Sequence, residues 1–179
     1  MSTQQLRLPA GYESESLLGS SPGVRVLRAL HAGERVVLRV DERSDVLESL
    51  AELAVLSAVV SPGVARLVDH GPLHGGGRFV ARRWDERQDL LAWARSRSGE
   101  EICAQVTRLC PALEPLHRAG FVHADLKPEN VIVTPDERPV LCDFGLSRRR
   151  GTVQPGEGAS GTLFAIAPEL LLGLDLTPA

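Results

Sequence analysis

Residues Phe121 to Val133, FVHADLKPENVIV, constrain this chain more than any other stretch. His123, Asp125, Lys127 and Asn130 stand close together between two apolar runs. Polar groups placed like this fit a loop held by rigid elements, and such loops often carry chemistry. The spacing allows Asp125, Lys127 and Asn130 to converge on one transferred group and one metal ion. Thirteen residues after Asn130, the run VLCDFGLS sets Asp143 at the end of an apolar strand.

The remaining residues supply the frame. YESESLLGSSPGVRVLRAL reads as strand, turn, strand, with Gly19 and Gly23 in the turn. ERVVLRVD is a third strand, mostly apolar and β-branched. Residues 44–58, SDVLESLAELAVLSA, carry Leu47, Leu50, Leu53 and Ala54 at helical spacing. Asp45 with Glu48 three residues on resembles a capping box. VARLVDHG and GRFVARRW are two more strands around HGGGR, a hairpin turn. DLLAWARS predicts a short helix, and SGEEICAQVTRLCPALEPLHRAG a longer one. A Ser98–Glu101 capping box opens the longer helix and Gly120 stops it. Pro111 and Pro115 conflict with it, because an interior proline costs about 3 kcal/mol and kinks a helix. NVIVT and PVLCD are short strands flanking a turn at PDER. The expected class is therefore α+β: five strands with one inserted helix, then helices, then a two-strand hairpin carrying the polar clusters.

Composition narrows the partners. With 179 residues, 43% of them hydrophobic, the chain is long enough for one domain with a real core. A net charge of −3 gives no electrostatic case for nucleic acid or an anionic membrane. The longest nearly apolar run, LAVLSAVV, is far short of a bilayer span. Cys103, Cys110 and Cys142 are scattered and lack metal spacing, which reads as a reducing, cytoplasmic setting. MSTQQLRLPAGYES has no apolar core for a signal peptide.

HADLKPEN, then DFG, then APE resembles the eukaryotic-like (Hanks-type) serine/threonine protein kinases. The matching positions are His123–Asp125 with Asn130, Asp143–Gly145, and Ala167–Glu169, and the likeness runs from about Tyr12 onward. It implies a two-lobed kinase-like fold. Residues 12–84 would form an N-lobe with a five-stranded antiparallel sheet and one helix, and 85–179 an incomplete helical C-lobe. It implies ATP and Mg2+ as cofactors and protein serine or threonine hydroxyls as phosphate acceptors. Asp125 would accept or orient the hydroxyl proton, Lys127 would sit near the γ-phosphate, and Asn130 and Asp143 would hold magnesium through oxygen.

On the nucleotide side, the resemblance sets Gly19 at the first glycine and Val26 at the valine of the glycine loop. Ser21 and Val24 occupy the other two glycine positions. Arg39 stands where the family has lysine, with Glu52 as its expected helix partner. Arg83 or Trp84 would line the adenine edge, Asp89 would reach the ribose, and Ile132 joins the nucleotide contacts. A guanidinium is bulkier than an ammonium and does not mimic a compact point charge. Low activity is therefore expected, and a pseudokinase-like scaffold is the alternative reading. Ala124 replaces the arginine that contacts a phosphorylated activation segment, so control by loop phosphorylation is less expected. Thr152, Ser160 and Thr162 are the hydroxyls of that segment. Family chains continue well past the APE motif, so either a longer protein or a partner protein is expected to cover the C-lobe.

Overall fold

The computed structural model describes residues 8–84 and 88–151. Their contacts divide the chain into two compact units. One is drawn from residues up to Leu50 together with Leu67–Trp84, the other from Ala51–Arg66 and the residues after Trp84. Ala51–Arg66 lies within the stretch expected to form the first lobe, yet it groups by contact with the second unit.

The first unit is built on five strands: β1 (Tyr12–Ser21), β2 (Val24–His31), β3 (Glu34–Asp41), β4 (Leu67–Pro72) and β5 (Arg78–Arg83). All neighbours are antiparallel, in the order β1-β2-β3-β5-β4. Alternation along β3 sends Val36, Leu38 and Val40 to one face, where they join Leu27, Ala29, Phe79 and Ala81 in a core cluster. Tyr12 closes this cluster, stacked on His31 with ring centroids 4.3 Å apart and donating from its hydroxyl to Asp69 Oδ2 at 2.9 Å. Arg35, Val37, Arg39 and Asp41 occupy the opposite face of β3 by the same alternation.

The β1–β2 turn differs from its expected form. Ser21 pairs with Val24, so Pro22 and Gly23 alone make the turn. Proline fixes φ at the first corner, and Gly23 supplies φ +73° at the second, the combination favoured by type II turns. Gly19 belongs to β1 itself, opposite Val26, next to an irregularity between Leu17 and Gly19.

Helix α1 (Leu47–Ala58) begins at the first apolar position of its periodicity, three residues after the start of the expected stretch 44–58. Asp45 Oδ1 accepts from Leu47 N at 3.1 Å. Glu48 turns its carboxylate to Arg39 and Arg43.

The second unit contains β6 (Gln88–Asp89), α2 (Leu90–Ala94), α3 (Gly99–Thr107), α4 (Leu109–Arg118), β7 (Phe121–Val122), β8 (Val131–Val133), β9 (Pro139–Leu141) and β10 (Arg148–Arg149). The expected β8–β9 hairpin gains β6 as a third strand, and β7 pairs with β10. The long helix predicted over residues 98–119 is two helices meeting at Arg108. Pro111 explains the break. It has no N–H to offer the carbonyl four residues back, and it is tolerated in the first turn of a new helix, where such donors lack partners anyway. Pro115 stays inside α4. The Ser98–Glu101 capping box forms in both directions, at 3.2 and 2.8 Å. Gly120 follows α4 with φ +81°. Leu116, Leu141 and Phe144 are fully buried. Gly63 lets the chain pass against Ala112, whose Cβ lies 2.7 Å from where a Gly63 Cβ would sit.

Candidate active site

The polar cluster HADLKPEN folds as a loop between β7 and β8. Its local path is set by an uncommon backbone: Ala124 has φ +62°, a region L-residues other than Asn and Asp rarely enter. That reversal leaves His123 and Asp125, both buried, on either side of the bend. Pro128–Asn130 then forms a single 3-10 turn that leads into β8.

Two side chains converge on one carboxylate oxygen of Asp125. Lys127 Nζ lies 2.8 Å from Asp125 Oδ2, and Asn130 Nδ2 donates to the same oxygen at 3.0 Å. Asn130 Nδ2 also donates to the Asp125 carbonyl at 2.8 Å. His123 Nε2 lies 3.2 Å from the Cys142 carbonyl, and its ring is 5.0 Å from that of Phe144. Burial pushes the His123 imidazole below its ordinary pKa against opposing pulls from the Cys142 carbonyl, Asp143 and Asp125, so the ring is neutral at pH 7. Ser147 Oγ donates to the His123 carbonyl at 3.2 Å.

Asp143 follows β9 with φ +61°, a conformation aspartate tolerates better than most residues, and its side chain is half-buried. Cys142 N donates to the Asn130 carbonyl at 2.9 Å, which ties the Asp143 segment to the Asn130 turn. Because the Asn130 amide nitrogen is held by Asp125, its remaining oxygen is the atom left for a cation. Asn130 and Asp143 thus offer the hard oxygens magnesium prefers. Among the described residues no three His, Cys, Asp or Glu side chains form a metal cage.

On the first unit, the nucleotide-side residues fall on one row. Gly19 pairs with Val26, Val26 with Arg39, and Arg39 with Val80 across four strands. Directly opposed residues in an antiparallel sheet share a face, so Gly19, Val26 and Arg39 lie on one side. Arg82 pairs with Val37 and belongs to this side too, whereas Arg83 pairs with Val36 and belongs to the other. Trp84 N donates to the Arg35 carbonyl at 3.2 Å, with the Arg28 guanidinium 5.7 Å from its ring.

Arg39 has a partner that sequence reasoning did not assign. Its Nη2 donates to Glu48 Oε2 at 2.5 Å, on the first turn of α1. Glu52, the partner that the resemblance implies, is a buried residue of the same helix. Both glutamates lie on one helical face, at i and i+4. In the second unit, Asp89 pairs with Ile132 across β6 and β8. The Asp89 carboxylate serves as the N-cap of α2, its Oδ1 accepting from Ala92 N at 2.7 Å. Ala167–Glu169, Thr152, Ser160 and Thr162 lie outside the described residues.

Known proteins show the same pattern. The protein kinase domain family matches residues 12–179. Serine/threonine-protein kinase PknK of Mycobacterium tuberculosis is 32% identical over 122 residues, covering 66% of this chain and 11% of that protein. Serine/threonine-protein kinase YPK1 of Saccharomyces cerevisiae is 34% identical over 149 residues, covering 76% of this chain and 21% of that protein. Serine/threonine-protein kinase pkn3 of Myxococcus xanthus is 28% identical over 187 aligned positions, covering 92% of this chain and 34% of that protein. The chain therefore spans between 11% and 34% of these relatives' own length. With a family match over residues 12–179, this chain belongs to the protein kinase domain family.

Proposed function

We propose that this chain binds ATP with Mg2+ and transfers the γ-phosphoryl group to a serine or threonine hydroxyl of a protein substrate, in a cytoplasmic setting. The observation that carries the reading is the convergence of Lys127 Nζ and Asn130 Nδ2 on Asp125 Oδ2, at 2.8 and 3.0 Å. Phosphoryl transfer asks for positioning and charge neutralisation more than covalent help. Asp125 orients the hydroxyl and takes its proton as the oxygen bonds to phosphorus and the bond to the ADP oxygen breaks. Lys127 offsets charge on the transferred group. Asn130 and Asp143 are the residues that would hold magnesium, which neutralises the phosphate oxygens when bound. Arg39 supplies positive charge for the nucleotide phosphates, with Gly19 and Val26 on its row, and Trp84 and Ile132 supply apolar contact. Residues 12–84 and 85–179 would serve as the two lobes, with a partner protein or further chain covering the second. Among the described residues no helix is long and apolar enough to cross a membrane.

The test is release of ADP by the purified chain with Mg2+, ATP and a generic basic protein. Turnover that disappears in Asp125→Ala supports the enzyme. Nucleotide binding without turnover supports a scaffold. That second reading draws on Gly19 lying within a strand and Ser21 and Val24 standing where the family has glycine.

A further inference from the structure

The turn between β8 and β9 breaks a local rule. Thr134 N donates to the Arg138 carbonyl at 3.1 Å, and Glu137 N donates to the Thr134 carbonyl at 2.8 Å. Pro135, Asp136 and Glu137 therefore form a three-residue hairpin loop, with proline at the first corner. The third residue of such a loop takes the left-handed conformation, and glycine is its usual occupant. Here it is Glu137, at φ +58°. A Cβ is disfavoured in that conformation, so surrounding contacts must hold the residue there.

Those contacts come from α3 and its two ends. Gln105 is fully buried in α3, and its Nε2 donates to the Glu137 carbonyl at 3.1 Å. Arg108, at the end of α3, donates from Nη1 to Gln105 Oε1 at 3.0 Å and lies 3.5 Å from the same carbonyl. Arg97, just before α3, donates from Nη2 to Glu137 Oε1 at 2.9 Å and from Nη1 to Glu101 Oε1 at 3.1 Å. Its guanidinium also lies 4.9 Å from the centroid of the Trp93 ring. Backbone and side chain of one strained residue are thus gripped separately.

The grip acts on the other end of the hairpin through register, which turn type and loop length fix. The ladder is short: Val133 pairs with Pro139, Ile132 with Val140 and Val131 with Leu141. Pro139 brings no N–H, so the pair nearest the turn lacks one donor. One step beyond Val131 and Leu141, Cys142 N donates to the Asn130 carbonyl at 2.9 Å. The same register therefore sets Asn130 beside the residue that precedes Asp143. A slip of one residue would reverse the faces of one strand and move Asn130 relative to Asp143.

We propose that Gln105 and Glu137 are positioning residues: the grip from α3 holds a left-handed glutamate in the turn, and the turn sets the register that brings Asn130 and Asp143 to one magnesium ion. The magnesium part rests on the proposed kinase function. The grip on the turn does not.

The experiment uses the full chain with Glu137→Gly, Glu137→Ala, Gln105→Leu, and Gln105→Leu combined with Glu137→Gly. Hydrogen exchange of the Cys142 amide reads the register. The magnesium concentration for half-maximal ATP binding reads the metal pair. Glycine adopts positive φ freely, so Glu137→Gly should leave both within about twofold of the unsubstituted chain. Glu137→Ala keeps the strain and loses the Arg97 tie, so exchange should rise about threefold, in keeping with the modest worth of an exposed ion pair. Gln105→Leu removes a buried donor, so exchange and half-maximal magnesium should each rise about tenfold. The double variant should return both to within about threefold of Glu137→Gly, because glycine does not need the grip. A double variant as impaired as Gln105→Leu would assign the loss to α3 packing and overturn the role of the turn. Unaltered exchange in Gln105→Leu would overturn the grip. Should Gln105→Leu fail to fold, faster exchange in Glu137→Ala than in Glu137→Gly upholds the grip, and equal exchange overturns it. Faster exchange with unaltered magnesium dependence, in a chain that binds Mg·ATP, would overturn the metal positioning alone. A chain that binds no nucleotide, yet exchanges faster in Gln105→Leu, would remove the kinase function and leave the grip standing.

Discussion

Asn130 donates from a single nitrogen to two oxygens of Asp125, the carbonyl at 2.8 Å and carboxylate Oδ2 at 3.0 Å. Backbone and side chain of the acid are therefore fixed by the same amide, five residues downstream. Exchanging Asn130 for Asp replaces that donor with a second negative charge beside Asp125. Like charges at this distance disfavour ionisation, so the acid limb of the pH–rate profile should move up by roughly 1 unit. Asp125→Ala should lower phosphotransfer roughly 10²- to 10⁴-fold, the scale of general acid–base help. A profile of kcat/KM against pH from 4.5 to 8 decides the first point, and an unmoved acid limb would count against Asp125 as the proton acceptor.

Asp143→Asn keeps the shape of the side chain and removes its charge. The half-buried position and the positive φ of residue 143 are both compatible with asparagine, so the fold should survive. Magnesium-dependent ATP binding should be lost. Thermal shift with ATP, with and without magnesium, reads this directly. Equal stabilisation of both forms under both conditions would show that Asp143 holds no metal.

Local chemistry was legible in the sequence, and choices made by tertiary contact were not. The Ser98–Glu101 capping box needs only residues three apart, and it forms as its pattern indicates. The five strands followed from alternating apolar residues and their turn signals. The polar loop announced itself because Asp125, Lys127 and Asn130 interrupt two apolar runs. The break at Arg108 was visible only as a conflict: proline spacing says that a helix cannot run smoothly, not where the chain will divide. β6 is two residues long and becomes a strand by pairing with β8, some forty positions away. The link of Glu48 to Arg39 and Arg43 depends on how the turn after β3 folds, which helical spacing does not show. The capping role of Asp89 depends on where α2 starts, which its sequence neighbours alone do not fix.

The imidazole of His123 should titrate below the pH at which a free histidine does. Burial is the first cause, and it outweighs the favourable carbonyl of Cys142 and the charges of Asp143 and Asp125. With the folded pKa below the unfolded value of about 6.5, the unfolded chain takes up the proton first as pH falls. The stabilisation is complete above about pH 6.5 and declines below it, by at most about 1.4 kcal/mol per pH unit for one group, until the folded pKa is passed. His117 shifts in the same direction, through burial and then Arg150, and adds to the slope. Imidazole NMR on the folded chain separates the two rings. A His123 signal titrating at or above pH 6.5 would contradict this account.

Gly77 and Gly76 are neighbours with positive φ, at +85° and +103°, but only one of them meets a wall. A Cβ on Gly77 would fall 2.1 Å from the Asp41 carbonyl oxygen and 2.9 Å from Glu42 Cα, both backbone atoms that cannot rotate aside. A Cβ on Gly76 would meet nothing within 4 Å. Gly76→Ala should therefore lose only the conformational term, about 1–2 kcal/mol. Gly77→Ala adds an overpacking cost of roughly 1–3 kcal/mol, and so should destabilise by about 2–5 kcal/mol in all. The clash falls at the end of β3, where Asp41 holds Arg43. Relief by backbone movement there should also loosen Glu48 and Arg39. Urea unfolding of the two variants gives the stabilities, and the Arg39 guanidinium signals report the loosening. Equal stability of Gly76→Ala and Gly77→Ala would mean that the close approach of the β4–β5 turn to Asp41 does not exist in solution.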